Sequence, residues 1–165
     1  MEIRLAAPVQ QESIADGKGI RMVIWNQGCR LKCPGCHNPN THNEKLGTLT
    51  TTEVVCNVIK KFAYRHHGIT LSGGDPFLQP LANKEIANYA HSLNLTVWAY
   101  TGQLFEELIK TQETMELLQS CDVLIDGPFI KELRDITLPF RGSGNQRIID
   151  VKNSLKENKI VLYQK

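Results

Sequence analysis

Short apolar runs alternate with helix-like segments along most of this chain, and that order constrains the fold more than any other feature. The predicted strands are 21–27, 69–71, 96–100 and 123–125, followed by closing strands at 146–151 and 159–163, and the predicted helices are 52–66, 83–93 and 104–118. The first helix has apolar residues at helical spacing and a threonine at position 50, 51 or 52 as its N-cap. Strand, loop and helix repeated in this order are typical of parallel βα units with right-handed crossovers. The sequence therefore predicts an α/β fold.

The length of the chain limits how far such a fold can close. Its 165 residues are 41% hydrophobic and 22% charged, which suits one compact domain over residues 1–165 and argues against disorder. A complete eightfold barrel needs about 250 residues. We therefore predict a short, open, incomplete (βα) barrel, whose open side would give a wide mouth suited to a large substrate.

Polar and glycine-containing loops follow four of the predicted strands. They are the cysteine loop after residue 27, Ser-Gly-Gly-Asp-Pro at 72–76, Tyr-Thr-Gly at 100–102 and Asp-Gly-Pro at 126–128. In βα folds the carboxyl ends of the parallel strands face the ligand site. We therefore expect the four loops to gather around one pocket.

Three of the five cysteines are grouped in the first of these loops. Cys29, Cys33 and Cys36 are separated by three and then by two residues. Three thiolates can hold three irons of a four-iron cluster and leave the fourth iron without a protein ligand. An open coordination position is typical of a metal site that performs chemistry, whereas closed sites are usually structural. The spacing therefore favours an iron-sulfur cluster with a chemical role.

Zinc binding and disulfide formation are the alternative uses of these cysteines. A tetrahedral zinc site needs a fourth ligand, which His37 or Cys56 could supply. Zinc ribbons pair two Cys-x-x-Cys units, and this sequence has no second unit, while His37 directly follows Cys36 and is awkwardly placed to reach the same ion. The odd number of cysteines and an amino terminus unlike a secretory signal disfavour disulfides. Cys56 and Cys121 are expected to be buried as small hydrophobic residues.

Charge, hydrophobicity and cysteine content give no support for a nucleic-acid or membrane partner and indicate a cellular compartment. A formal net charge of +2 is too small to argue for nucleic acid or an anionic membrane as a partner. No apolar run is long enough to span a bilayer. Free cysteines without an export signal are typical of a reducing compartment, so we expect a cytoplasmic protein.

Several segments resemble a known superfamily. Residues 17–21 (GKGIR), the cysteine motif and residues 71–76 (LSGGDP) resemble the radical S-adenosylmethionine superfamily, and within it the glycyl-radical-enzyme activases. Residues 98–102 (WAYTG), 123–129 (VLIDGPF) and 140–147 (FRGSGNQR) resemble the family of proteins that activate anaerobic ribonucleotide reductase. Together the matching segments extend from about residue 16 to residue 151. The expected barrel would then be of the radical S-adenosylmethionine type.

The resemblance implies an oxidoreductase with a [4Fe-4S] cluster and S-adenosylmethionine as cofactors. The open iron would chelate the methionyl amino and carboxylate groups, and an electron from a donor such as a flavodoxin would cleave the cofactor to a 5′-deoxyadenosyl radical. That radical would take a hydrogen atom from a glycine in the large subunit of anaerobic ribonucleotide reductase. The cofactor carries this chemistry, so no acid–base pair of the protein is assigned as catalytic. The alternatives are another small radical enzyme acting on a small molecule, such as a deazapurine synthase, and a non-enzymatic metal-binding module.

The resemblance also implies which residues contact the cofactor. They are Gly35, Cys36, His37, Asn38, Ser72, Gly73, Gly74, Asp75, Tyr100, Thr101 and Asp126. Gly35, Cys36 and His37 would lie beside the adenine, with a glycine where the superfamily more often has an aromatic residue, and the Gly-Gly-Asp edge would hold the methionyl amino group. Asn38 would either hydrogen-bond locally or shape the loop. Tyr100 and Thr101 would contact the ribose or the methionyl part.

Two assignments stay open at this point. Asp126 either orders the ligand pocket or belongs to an ordinary Asp-Gly turn. The loop from Arg141 to Arg147 either meets a carboxylate of the cofactor or of the partner protein, or is a solvated surface loop.

Overall fold

A computed structural model describes residues 1–164 as one mixed eight-stranded sheet with five helices packed against it. The strands are β1 Glu2–Leu5, β2 Gln10–Ser13, β3 Arg21–Asn26, β4 Thr48–Thr51, β5 Gly68–Gly73, β6 Thr96–Tyr100, β7 Val123–Asp126 and β8 Arg147–Asp150. The helices are α1 Thr52–Phe62, α2 Pro80–Ser92, α3 Phe105–Leu108, α4 Gln112–Gln119 and α5 Val151–Glu157. No helix in this part of the chain is both long and apolar enough to cross a membrane.

The centre of the sheet is parallel. Neighbouring strands β3, β5, β6 and β7 run in the same direction, with Asn26 beside Gly73 and Tyr100 beside Ile125. These strands are almost continuously buried, as expected for a parallel sheet covered by helices. Their carboxyl ends therefore meet at one edge, and the loops that follow them lie close together.

The outer strands are antiparallel, and the sheet order is β4-β1-β3-β5-β6-β7-β8, with β2 paired to the start of β3. The predicted α/β fold is confirmed. The pairing among the described residues is that of an open sheet, and the incomplete barrel stays a prediction. Strands β1, β2 and β4 were not among the predicted elements.

The predicted helix 104–118 is wrong, because the structure has the two helices α3 and α4 in its place. Thr111 separates them with an extended backbone (φ −118°, ψ 149°), and its hydroxyl accepts a hydrogen bond from the amide of Thr114 at 3.4 Å. A side-chain acceptor of this kind starts a new helix. The apolar spacing runs across the break and conceals it.

The predicted strand 159–163 is also wrong. This segment contributes a single bridge, between Leu162 and Ile149 of β8. The preceding residues form α5, which Asp150 caps by accepting from the amide of Asn153 at 3.0 Å. Asn158 ends that helix in the left-handed conformation, with φ +55°. The capping acid and the left-handed Asn explain why a helix, which the sequence analysis did not predict, lies between β8 and this segment.

The other boundaries are close to the predictions. Strand β6 has the predicted bounds, and Thr51 is the N-cap of α1, where its hydroxyl accepts from the amide of Val54 at 3.3 Å. Helix α1 ends at Phe62 and continues as a short 3-10 turn, whereas α2 begins three residues earlier than predicted, with Pro80 in its first turn. Proline suits that position, since its missing amide hydrogen has no partner inside a helix.

The glycine-rich motif at 17–21 makes room for a buried arginine at the amino ends of the parallel strands. The Arg21 guanidinium donates to the carbonyls of Ile69 (2.6 Å) and Thr96 (3.0 Å) and lies 5.3 Å from the ring centroid of Trp98. Burial lowers the pKa of Arg21 to about 10. A Cβ on Gly17, whose φ is +129°, would lie 2.8 Å from the Arg21 side chain and 2.9 Å from the Trp98 ring. This motif therefore has a structural role at the end of the parallel strands opposite the site.

Candidate active site

A cavity of about 360 Å³ opens at the carboxyl edge of the parallel strands. The predicted site residues that line it are Cys29, Cys33, Cys36, His37, Asn38, Ser72, Gly73, Gly74, Tyr100 and Thr101. They come from the loops after β3, β5 and β6, and Gly127 and Phe129 add the loop after β7. The structure thus brings together the four loops that the sequence placed at one edge.

Backbone hydrogen bonds hold the cysteine loop at its base. The amide of Gly28 donates to the carbonyl of Thr41 at 2.6 Å, and the amide of Cys29 donates to the carbonyl of His42 at 3.2 Å. Gln27 adds a side-chain tie, since its Nε2 donates to the carbonyls of Asn40 (3.0 Å) and Asn43 (2.7 Å). The loop that carries the three thiols is therefore fixed to the segment that follows it.

The loop after β5 is joined directly to the cysteine loop through Gly74. The amide of Gly74 donates to the carbonyl of Asn26 and the amide of Asp75 donates to the carbonyl of Gly28, both at 2.8 Å. A Cβ on Gly74 would lie 2.2 Å from the Gly28 oxygen, and a Cβ on Gly73 would lie 2.4 Å from the Asn26 backbone. The two glycines therefore let the backbone after β5 lie against Asn26 and Gly28, in addition to any contact with the cofactor that the resemblance implies.

A buried amide network reinforces this junction, and the sequence analysis missed it. Asn83 of α2 donates through Nδ2 to Asn26 Oδ1 at 2.8 Å. Gln79 Nε2 donates to the Arg4 carbonyl at 2.9 Å, and Gln79 Oε1 accepts from the Arg4 amide at 2.8 Å. The sequence signal that could have identified this network is the presence of Asn26 at the end of an apolar strand and of Asn83 in a helix. Buried amides are retained where each donor and acceptor finds a partner, so this network fixes the end of β3 relative to α2.

Asp75 lies behind the cavity wall and does not line it. Its carboxylate is buried and accepts from the Thr101 hydroxyl at 3.1 and 2.9 Å and from the Phe77 amide at 3.0 Å. Burial raises the pKa of Asp75, although the bonds from Phe77 and Thr101 oppose that shift. Asp75 thus connects the loop after β5 to Thr101 in the loop after β6.

Asp126 is also away from the cavity wall. Its fully buried carboxylate accepts two bonds from the Arg147 guanidinium, at 3.0 and 2.5 Å, and caps α3 by accepting from the Phe105 amide at 2.8 Å. Arg147 also donates to Glu106, and its bonds to Asp126 and then to Glu106 raise the pKa of Arg147. The structure therefore gives Asp126 the role of a helix cap and ion-pair partner.

Removing the partner of Asp126 is expected to destabilise the protein without changing cofactor binding. The Arg147→Met variant leaves the buried Asp126 carboxylate without its ion-pair partner. We expect the free energy of unfolding to fall by about 3 kcal/mol, which is the lower end for buried pairs, because the Arg147 side chain is 30% exposed. The measurement is the free energy of urea unfolding together with the S-adenosylmethionine dissociation constant of the reconstituted protein. A dissociation constant raised tenfold with unchanged stability would contradict this prediction and indicate that Asp126 acts in cofactor binding.

The loop 140–147 is ordered by its own side chains. Gln146 accepts from the Gly142 amide at 2.9 Å and donates to the Gly127 carbonyl at 3.0 Å, and both Gly142 and Gln146 line the cavity. Arg141 donates to the Gln146 carbonyl at 3.1 Å, while its Nε is buried without a partner among the described residues. The loop therefore forms part of the cavity wall, and it is not simply a solvated surface loop.

Phe129 is one of the aromatic residues of the cavity wall, and sequence reasoning did not select it. Its ring meets His37 edge-on with 5.3 Å between ring centroids. Gly35 does not line the cavity, and a Cβ there would lie 3.4 Å from the Phe129 ring, while a Cβ on Gly142 would lie 3.2 Å from it. Gly142 therefore leaves room for Phe129, which lies at the end of the 123–129 segment, whereas a Cβ at Gly35 would meet the ring at an ordinary contact distance.

The other two cysteines lie elsewhere. Cys56 lines a separate groove between α1 and α2 with Glu53 and Glu85, so its use as a fourth zinc ligand is wrong. Cys121 is fully buried and donates to the carbonyl of Leu117 at 3.3 Å, as expected for a small core residue. Burial raises the pKa of both thiols, that of Cys56 to about 11.

The donor set fits an iron-sulfur cluster. Cys29, Cys33 and Cys36 are partly exposed and face one cavity, and thiolates are the protein ligands that such clusters take. Burial raises the pKa of Cys29. Across residues 1–164 no three side chains of His, Cys, Asp or Glu converge on one point as the ligands of a single metal ion.

Comparisons with known proteins agree with this chemistry. A family model described as a 4Fe-4S single cluster domain matches residues 15–149. The anaerobic ribonucleoside-triphosphate reductase-activating protein of Haemophilus influenzae is 35% identical over 143 residues, which cover 82% of this chain and 90% of the relative. The protein of the same name from Enterobacteria phage T4 is 37% identical over 139 residues, covering 81% and 85%. Among solved structures, QueE from Escherichia coli matches with a TM-score of 0.48 and 16% identity, over 62% of this chain and 53% of that chain.

Proposed function

The chain belongs to the family of anaerobic ribonucleoside-triphosphate reductase-activating proteins, and we propose that it generates a glycyl radical on the large subunit of an anaerobic ribonucleotide reductase. As a member of that family it is an activating enzyme, an oxidoreductase with a 4Fe-4S domain. The proposed electron source is an external low-potential protein such as a flavodoxin. We further propose that residues 1–165 act as one activase domain.

The proposed cluster ligands are Cys29, Cys33 and Cys36. Their position on one wall of the cavity supports this assignment, because three thiolates hold three irons and leave the fourth open to a second cofactor. When bound, the cluster supplies the electron that reductively cleaves S-adenosylmethionine to a 5′-deoxyadenosyl radical.

The proposed contacts to S-adenosylmethionine come from the residues on the cavity wall, which are Cys36, His37, Asn38, Ser72, Gly73, Gly74, Tyr100 and Thr101. Burial raises the pKa of Tyr100, so its hydroxyl stays protonated and can donate to a ligand oxygen. Gly35, Asp75 and Asp126 do not line the cavity and are proposed to support its wall: Gly35 lies beside Phe129, Asp75 orients Thr101, and Asp126 caps α3.

The protein substrate is proposed to reach the cavity from its open side, which the incomplete barrel would leave as a wide mouth. A glycine Cα–H bond is weakened by the captodative character of the product radical, so hydrogen transfer needs no general base. The task of this chain is then to hold that Cα next to the reacting carbon and to exclude water, and such positioning is a large source of rate enhancement. The observation that carries the proposal is the shared cavity of the cysteine loop and the glycine edge in a chain of this family.

Electron paramagnetic resonance tests the proposal. The reduced, reconstituted protein mixed anaerobically with S-adenosylmethionine and the cognate reductase is expected to give a glycyl doublet. A reductase whose radical glycine is replaced by alanine is expected to give no doublet, while uncoupled cofactor cleavage continues. Turnover of a small heterocycle without any glycyl signal, from a protein with a competent cluster, would refute the proposal.

A further inference from the structure

Cys29 lines two separate depressions. One is the cavity described above, and the other is a groove of about 750 Å³, which we call the outer groove because most of its lining residues are absent from the cavity wall. This outer groove is lined by Cys29, Arg30, Lys32, Pro39, Asn40, His42, Asn43, Glu44, Lys45 and Leu46. Cys29 and His42 are the residues that line both depressions, so the outer groove gives a second approach to the proposed cluster.

The outer groove carries an excess of positive charge. Arg30, Lys32 and Lys45 are opposed by Glu44 alone, and Glu44 already pairs with Arg30 through bonds of 2.7 and 3.0 Å. Neither lysine has an acidic partner within residues 1–164. The groove alone therefore accounts for a net +2, as large as the formal net charge of the whole chain.

The backbone at Lys32 is unusual as well. Its φ is +48°, in the left-handed region that disfavours a lysine. Glycine or asparagine would adopt this conformation more easily. Lys32 is exposed between Cys29 and Cys33 in this disfavoured conformation, which favours a functional role for its positive charge.

We propose that the outer groove is the docking face for an acidic electron-donor protein. This inference rests on the proposed function, which requires one electron to reach the cluster from outside. The inner cavity is committed to the cofactor and to the substrate glycine, whereas the outer groove brings a donor against Cys29 without entering that cavity. Complementary charge steers such encounters and raises their rate, and the effect is screened by salt.

Charge removal at the groove tests the inference. The double variant Lys32→Asn/Lys45→Glu removes both unpaired cations, and asparagine keeps the left-handed backbone at position 32. The matched control is Lys60→Asn/Lys61→Glu, which changes two exposed lysines in the last turn of α1. Stopped-flow spectroscopy follows bleaching of the reconstituted cluster by reduced flavodoxin, and a fluorescence titration gives the dissociation constant for oxidised flavodoxin.

We expect the groove variant to be reduced by flavodoxin at least about tenfold more slowly at low ionic strength, with weaker binding, and the difference to shrink at high salt. Reduction by dithionite and dithionite-driven cofactor cleavage are expected to stay within about twofold of the parent protein. An equal loss in the α1 control, an equal loss with dithionite, or a loss of reductase affinity with unchanged flavodoxin reduction would overturn the inference. No reductase is needed to measure cluster reduction, so this result is independent of the glycyl-radical test.

Discussion

A protein in which Cys29, Cys33 or Cys36 is replaced by serine is expected to lose reductive cleavage of S-adenosylmethionine completely. Each of these cysteines faces the cavity, and a cluster with one open iron has no spare thiolate to replace a missing one. The measurements are iron content, visible absorbance after anaerobic reconstitution, and the yield of 5′-deoxyadenosine under dithionite.

The remaining two cysteines provide the matched controls. Cys56→Ser and Cys121→Ala are expected to keep about four irons per chain and full cleavage, because both thiols lie outside the cavity. Cys121→Ala removes a fully buried side chain, so some loss of stability is expected without loss of activity. Full cleavage by the Cys33→Ser protein would disprove the cluster assignment.

The central strands could be predicted from the sequence because parallel strands leave a strong local signal. Strand β6 is a short β-branched and aromatic run between polar loops, and its bounds match the prediction. Strands β1 and β4 escaped prediction because each has only four residues, which is too short for a local pattern to stand out, and because they pair with each other. Their position depends on pairing between residues almost fifty apart, which no local pattern encodes.

The candidate site likewise has features with a local sequence signal and features that depend on tertiary contacts. The spacing of the three cysteines is a local signal, and the structure places all three on the wall of one cavity. The roles of the acids depend on tertiary partners: Asp75 accepts from Thr101, and Asp126 accepts from Arg147, which is twenty-one residues away. Phe129 could not be selected either, because its place depends on contacts with His37 and Gly142, which are distant from it in the sequence.

The Gly74→Ala variant is expected to disrupt both the cofactor site and the cysteine loop. The added Cβ would lie 2.2 Å from the Gly28 carbonyl oxygen, so that carbonyl must move and its bond to the Asp75 amide must break. Overpacking of this kind costs about 1–3 kcal/mol. Because Gly28 precedes Cys29, the displacement reaches the first thiolate, and we expect less iron to be retained as well as weaker cofactor binding.

A tenfold rise in the S-adenosylmethionine dissociation constant, about 1.4 kcal/mol, is the smallest effect expected for Gly74→Ala. The backbone at Gly74 is not in the left-handed region, so the effect would come from the clash alone. Gly144→Ala is the matched control, since its Cβ would meet only the Leu133 carbonyl oxygen at 3.9 Å. Iron content, thermal midpoint and the dissociation constant are compared for both variants. If Gly74→Ala retained full iron and unchanged affinity, the junction between the two loops would not be the feature that holds the site together.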